Sequence, residues 1–498
     1  MRRVINPQLQ FGEQDISAIE LDPKSRDDIP QILRGLQYIY MTPEIRERVF
    51  AILTDVIPTR QREDGAEGKA DAETGRPGME QWKILVLGAL RPGLNADYDR
   101  IQELANQQTT IRQMLGHGDW ADETRYPLQT RKDNLRLFTP EILDRINQEV
   151  VRAGHQLVKK SPHDDLHARV DSFVVKADVH FPTDINLLYD AVRKAIETMA
   201  GLCDDAGLSD WRQSAYNIRQ FKKAYRHVQR LRHSTSKDAD KREARQEEIE
   251  AAYAAYLGQA EVYLMRLAQT RITLRSGCAL PEAVLAELDD YIAHAECQID
   301  QIRRRVLRGE TIAHVEKVFS IFEPHTEWIS KGKAGVPVEL GLRVAIVEDQ
   351  YRFILHHQVM ENTTDDKIAV AIMRKTQARF PAVRTVSMDK GFHSVANQAA
   401  LKAMLDRVVL PRKGKLSQVN KAIESDPEFI RLRHQHSAVE SAINALEVHG
   451  LGVCPDHGID GFKRYVALAV VARNTQRLGA ILQQREVERL REQQKRAA

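Results

Sequence analysis

The sequence predicts an α/β fold in which a mixed five-strand sheet with helices is interrupted by a large all-α insert after its first strand. A helical N-terminal region precedes it. Three observations predict this. A β-rich run over residues 166–182 stands far from any other strand signal. Helical periodicity then persists from about residue 185 to about 315. From residue 337 runs of period two alternate with helical ones.

The bulk numbers bound the problem. A chain of 498 residues predicts two or three domains, and 42% hydrophobic residues suffice for packed cores. With 73 basic against 70 acidic residues the net charge is only +3, so local clusters matter more than the total. No apolar run reaches membrane-spanning length, and MRRVINPQLQFGEQDIS lacks the apolar core of a secretory signal. Cys203, Cys278, Cys297 and Cys454 are widely spaced, which argues against a disulfide framework or structural zinc and for a reducing, cytoplasmic setting. His163, His167 and His180 lie near the first strand but match no zinc spacing.

The elements follow in order. Residues 1–150 read as a helical region. Trp82 to Leu90 is a buried helix, and Asp97 caps the helix after it, a pair compatible with helix-turn-helix DNA binding. Asp64 to Gly78 is Gly-rich and charged, hence a loop. Residues 160–184 hold the first strand, and 185–315 are a helical insertion. There Leu285, Leu288, Ile292, Ala295, Ile299, Ile302 and Val306 form a coiled-coil-like seam. Ile249, Tyr253, Tyr256, Ala260, Tyr263 and Leu267 repeat the spacing, and an antiparallel helical hairpin would bury both. Residues 316–482 supply the remaining strands and helices, and 483–498 are a charged tail that extends the final helix.

The order strand, insert, strand, strand, helix, strand, helix, strand, helix is that of a ribonuclease H-like core. In that topology the first strand is central and the strand after the first helix lies beside it. Asp171 on the first strand and Asp389 at the end of VRTVSMD can then meet, and Glu440 on a late helix can join them. Strands are poor in Asp, and crowded carboxylates are tolerated where they hold divalent cations. Other readings compete. Asp178 or Asp184 could replace Asp171, and Asp184 could simply cap a helix beginning at Ile185. Asp389-Lys390-Gly391 is an ordinary turn, and Ser437 to Glu440 is a capping box.

The segments VDSFVVKADVHFPTDINLLYD, VFSIFEPHTEWISKGKAGVPVELGL, SMDKGFHS and HSAVESAINALEVHGLGVCPDHGIDGFKRYVALAVVARNTQRLG resemble bacterial insertion-sequence transposases of the DDE type, the ISNCY group in particular. The similarity runs in order from about residue 75 to 482. It implies a ribonuclease H-like catalytic core and metal-dependent cutting and joining of an element's ends. It carries the catalytic, metal-holding triad onto Asp171, Asp389 and Glu440. It further implies two Mg²⁺ ions (with Mn²⁺ able to substitute), bridged by Asp171 and Asp389, with Glu440 completing one site. The expected partner is double-stranded DNA, as terminal inverted repeats and target, bound by a dimer or higher assembly. One feature departs from related transposases that place Tyr and Arg before the glutamate and Lys seven residues after it. Here Arg433 and His436 precede it and Glu447 takes the lysine position, which leaves Arg433, His434 and His436 as substitutes.

Basic residues nominate DNA contacts. Arg219, Lys222, Lys223, Arg226 and Arg230 share one face of an amphipathic helix, which is equally the pattern of a solvated surface. Lys331 and Lys333 flank a glycine before the second strand, Lys390 follows Asp389, and Arg412, Lys413 and Lys415 follow the last strand. Such residues position a phosphate backbone without reading bases. Trp328 is expected in a core, with base stacking as the alternative.

Overall fold

The computed structural model describes residues 3–6, 9, 12–56, 59–61, 67–69, 78–118, 124–127, 133–159, 161, 164–277, 281–330 and 337–497. Two compact units emerge. One combines residues 1–178 with 329–498, and the other is the continuous stretch 179–328. The insertion is thus somewhat longer than 185–315. The helices of the first 150 residues belong to the same unit as the sheet instead of standing apart.

That first unit opens with α1 (Asp28–Met41), α2 (Pro43–Thr54), α3 (Gln81–Gly93), α4 (Tyr98–Gln107), α5 (Thr109–Met114) and α6 (Pro140–Val158). A short ribbon pairs β1 (Thr59–Gln61) with β2 (Glu67–Lys69), so part of the segment expected as loop from Asp64 to Gly78 is strand. Asp97 caps α4 as expected, its side chain accepting from Arg100 N at 2.7 Å. α3, however, is buried along its length from Ile84 to Gly93. It is a core helix, which leaves little of it to face DNA.

The sheet has seven strands, not five. They are β3 (Leu166–Ala177), β4 (Glu327–Ser330), β5 (Val338–Glu348), β6 (Ile354–Met360), β7 (Val383–Met388), β8 (Arg407–Val409) and β9 (Val453–Cys454). The short strands β4 and β9 are the additions. The order through the long strands is β6-β5-β3-β7-β8, with β5 antiparallel to β3, β6 antiparallel to β5, and β7 and β8 parallel. β3 ends at Ala177, so the VHFPTD phrase lies beyond the strand.

Helices α11 (Asp365–Arg379), α12 (Val395–Met404), α13 (Gln418–Glu424), α14 (Pro427–His436), α15 (Ala438–Leu446) and α16 (Gly458–Ala497) complete this unit, and the charged tail continues α16 as expected. α16 binds the unit together. Asn474 Nδ2 donates to Asn147 Oδ1 and to Ile354 O, and Ile354 N donates to Asn474 Oδ1. One buried amide thereby ties α16, α6 and β6. Further along, α16 crosses α1 with glycines on both sides. A Cβ at Gly479 would lie 1.8 Å from Gln31 O, and one at Gly35 would lie 2.2 Å from Thr475 O.

The second unit contains α7 (Asp184–Asp205), α8 (Ser214–Arg230), α9 (Ala239–Gly277) and α10 (Glu282–Ile302). Both expected seams are turned inward. Tyr256, Ala260, Tyr263 and Leu267 of α9 are buried, as are Leu288, Ala295, Ile299 and Ile302 of α10. The expected α9–α10 hairpin is not how they are buried. α10 packs chiefly on α7, and α9 on α8 and α7. The reason lies in the aromatic residues of α9. Tyr256 stacks on Phe221 of α8 with its hydroxyl donating to Ile185 O, and the Tyr263 hydroxyl donates to Asn217 O. Cys203, Cys297 and Cys454 are unbridged, while Cys278 and His163 lie outside the described residues. Among the described residues no helix is long and apolar enough to cross a membrane.

Because backbone meets backbone at the α1–α16 crossing, any side chain there forces the helices apart. Gly479→Val is expected to lower stability by at least about 2 kcal/mol in chemical denaturation. Gly201→Ala, on a helix surface with nothing within 4 Å, is expected to leave stability unchanged or raise it by up to about 1 kcal/mol.

Candidate active site: carboxylates at a gap beside the central strand

β3 is paired with β5 from Arg169 to Lys176. Its other edge pairs with β7 only through Val170, opposite Met388, and with β9 only from Lys176, opposite Val453. Between these ladders that edge of β3 is left without a strand partner among the described residues. Asp171 is the first residue in the gap. Asp389 is the first residue after Met388, so the two acids stand at the same level.

α15 supplies the third acid. Val439, Ala442 and Leu446 are buried in the cluster that holds Phe173 and Val175 of β3. This packing fixes α15 against the strand and leaves Glu440 exposed in the helix's first turn. Ser437 makes no side-chain cap bond to α15, and its hydroxyl donates to His434 O at 2.8 Å. The capping-box reading of Glu440 is therefore not realised.

Electrostatics record the convergence. The Asp171 carboxyl is pushed from 3.8 up to about 6, first by burial and then by the charges of Asp389, Asp365 and Glu440, while the Ser172 N–H opposes the shift. Asp389 and Glu440 are thus near enough for their charges to act on Asp171, and so is Asp365, which sequence reasoning missed. Asp365 begins α11 and accepts from Ser172 Oγ at 2.7 Å, while Ser172 N donates to Asp171 Oδ1 at 2.7 Å. In TTDDKIAV it looked like an ordinary helix-start acid. Its signal was positional, since the helix after the second hairpin strand must return beside the first strand. Asp184, one alternative to Asp171, is instead the first residue of α7, behind a capping box made by Thr183 and Asn186, and pairs with Arg305 at 2.7 Å.

Gly391 shapes the space between two of these acids. A Cβ there would lie 2.8 Å from Asp389 Oδ1 and 3.2 Å from Asp365 Oδ2. Asp389 caps the short helix Lys390–Phe392 by accepting from Gly391 N. Lys413 Nζ donates to Gly391 O at 2.9 Å, which brings one expected phosphate contact to the site. Half-buried His436 places Nδ1 3.1 Å from Ser387 Oγ. Burial and the Arg169 cation hold its imidazole below the usual range, against the opposing pull of Asp389 and Glu440.

The other expected basic residues are dispersed. Lys390, Lys415 and Arg433 are exposed and Arg412 is half-buried in this unit. Arg219, Lys222, Lys223, Arg226 and Arg230 are all exposed along α8 in the second unit. Lys331 and Lys333 lie outside the described residues.

The donor set suits a hard divalent cation. Four carboxylates offer only oxygen, the ligand Mg²⁺ prefers, and the cradle at Gly391 keeps the space between two of them free of any side chain. As they stand the side chains form an open set. Among the described residues no three His, Cys, Asp or Glu are grouped closely enough to hold an ion. Asp389 is turned to Gly391 N and Asp365 to Ser172 Oγ, each through one carboxylate oxygen.

No family model matches this chain, no curated protein is significantly similar to it, and neither is any solved structure.

Between about pH 4 and 6 the ion-free folded chain retains a proton on Asp171 that the unfolded chain has released. Raising the pH through that window therefore removes stability, and the loss is complete above about 6. Asp171→Asn is expected to abolish this contribution and to leave the ion-free melting temperature at pH 7 equal or higher. The same substitution is expected to remove any Mn²⁺-induced rise in melting temperature that the parent shows. Thermal melts at several pH values, with and without Mn²⁺, check both.

Proposed function

We propose that this chain is a DDE-type transposase of a bacterial insertion sequence, of the ISNCY-like group, which binds the element's terminal repeats and cuts and rejoins DNA. The observation that carries the reading is that Asp171 and Asp389, distant in sequence, stand at one level around a gap beside the central strand, with Glu440 near enough for its charge to act on Asp171. The sheet order supports a ribonuclease H-like core, with its first strand central, two antiparallel strands to one side and two parallel strands to the other. The extended resemblance in motifs supports the choice of family.

In this reading Asp171, Asp389 and Glu440 would hold two Mg²⁺ ions, with Asp365 beside them. When bound, such ions activate an attacking oxygen and stabilise the leaving one at a phosphodiester. The chain's own residues orient that chemistry. Ser172 holds Asp171 through its N–H and Asp365 through its hydroxyl, so both acids are fixed to the central strand. Lys413 and Lys390 put positive charge beside Asp389, where a phosphate would approach. His436 presents an imidazole between Ser387 and the acids. The exposed cations of α8 suit sequence-independent attraction of duplex DNA. Joining two ends in one complex calls for a dimer or higher assembly.

One observation favours a plainer nuclease that hydrolyses without joining. Glu447 is exposed where related transposases carry a phosphate-contacting lysine, so one DNA-end contact is missing. A DNA-binding relative that has lost catalysis is the remaining alternative. The test uses end-labelled DNA carrying the inverted repeats that flank the coding region, with Mg²⁺ or Mn²⁺. Nicking at the repeat boundary followed by joined products is expected. Asp389→Asn is expected to reduce both by about a hundredfold or more. Nicking without joined products would select the nuclease, and binding without cleavage the DNA-binding relative.

Asp365→Asn separates a metal-holding acid from one that only orients Ser172. A metal-holding role predicts at least about tenfold weaker Mn²⁺ dependence of cleavage, as metal-site substitutions typically give. Ser172→Ala, which frees Asp365 but keeps its charge, is expected to cost less.

A further inference from the structure

The helical unit contains a cavity of about 550 Å³ that the carboxylate chemistry leaves unexplained. One wall is aromatic. His314, Phe319, Trp328 and Phe181 follow one another, with ring centroids 5.2, 5.7 and 5.4 Å apart, and Phe319, Trp328 and Tyr253 line the cavity itself. Phe181 stays 60% exposed, an unusual state for a large apolar ring. Phe319 and Trp328 are themselves only half-buried, so part of each ring remains accessible.

Inside the cavity stands Gln298, only 1% exposed, and its amide Nε2 has no hydrogen-bond partner. A buried donor left unpaired is costly, and a ligand acceptor at that point would recover the cost. Its neighbour Gln301 shows the contrast, with Nε2 donating to Glu316 O at 2.6 Å.

The charges at the rim are unequal. Asp184 is held by Arg305 at 2.7 Å, and Glu310 is held by Arg304 at 2.9 Å. Lys317 also lines the cavity, is exposed, and carries no ion pair among the described residues. Its cation is available to an anion. An aromatic wall, one buried donor and one free cation within a cavity of ligand size define a particular guest. It is flat and heteroaromatic, with an acceptor on its edge and a negative group attached.

We infer that this cavity binds a nucleotide, the base lying against Trp328 and Phe319, an edge acceptor meeting Gln298 and the phosphate meeting Lys317. The source is a free nucleotide or an unstacked base in DNA, since both present the same chemistry. The inference does not draw on the DNA-cleaving reading, and an inactive protein would leave it intact.

The test uses the full-length protein and duplexes carrying 2-aminopurine, either unpaired opposite an abasic site or normally paired. The unpaired probe is expected to bind about fivefold or more tightly than the paired one, with its fluorescence quenched by stacking. Trp328→Ala and Gln298→Leu should each remove that advantage, whereas Trp328→Phe, which keeps a ring face, should retain most of it. Lys317→Ala should weaken both the unpaired probe and free deoxynucleoside monophosphates. Competition by the monophosphates identifies free nucleotide as the source, and binding of the unpaired probe without such competition identifies DNA. Melting by circular dichroism selects variants that fold like the parent. Equal binding of the two probes with no monophosphate binding overturns the inference, and so does parent-like binding by well-folded Trp328→Ala and Gln298→Leu.

Discussion

The central strand is paired from Arg169 to Lys176 on one edge and only at its two ends on the other. Everything at the candidate site depends on that asymmetry. β7 leaves β3 after Val170 and β9 joins it at Lys176, so a helix, not a strand, must fill the interval. α15 does so by burying Val439, Ala442 and Leu446 against the face of β3 that carries Phe173 and Val175. Its first turn then brings Glu440 to Asp171. An unbroken ladder through residues 171–175 would leave no room for carboxylates to gather.

Holding such a gap open requires stiffness elsewhere. A rigid frame is what keeps Asp171 buried beside other acids, burial first and their charges second pushing it to about 6, without the fold relaxing to relieve it. The frame is set by α16. Its Asn474 satisfies both the N–H and the carbonyl of Ile354 in the core, and its glycine crossing with α1 brings backbones together with no side chain between. The cost of the crowded acids is borne by packing around them, the usual arrangement where function conflicts with local stability.

Much of this was legible from the residues. Strand and helix order and the inward seams of α9 and α10 came from periodicity, while the expected topology and the family resemblance nominated Asp171, Asp389 and Glu440. What was missed has identifiable causes. β4 and β9 are too short to show a period. The two long helices do pair antiparallel, Arg271 with Asp289 and Arg303 with Glu261, but their seams are buried mainly elsewhere, because periodicity reports that a face is buried, not what buries it. Phe221 and Tyr256 decide the partner through ring stacking and a hydroxyl bond, which spacing does not encode. Asp365 was hidden because its local grammar is that of any helix start, and only the return of α11 to β3 gives it a second meaning.

The discontinuous unit also dictates an order of assembly on the ribosome. β3 is synthesised long before its partners, with Asp171 opposite Ile346 and the buried Asn474 clamp later still. Residues 179–328 form a continuous unit that can fold while translation proceeds. The sheet unit cannot close until α16 has emerged. A product truncated before Asn474 therefore retains every acid of the candidate site and every cation of α8, yet lacks the frame that brings the acids together. Emergence of α16, not synthesis of the site residues, is the event that completes the frame around the acids.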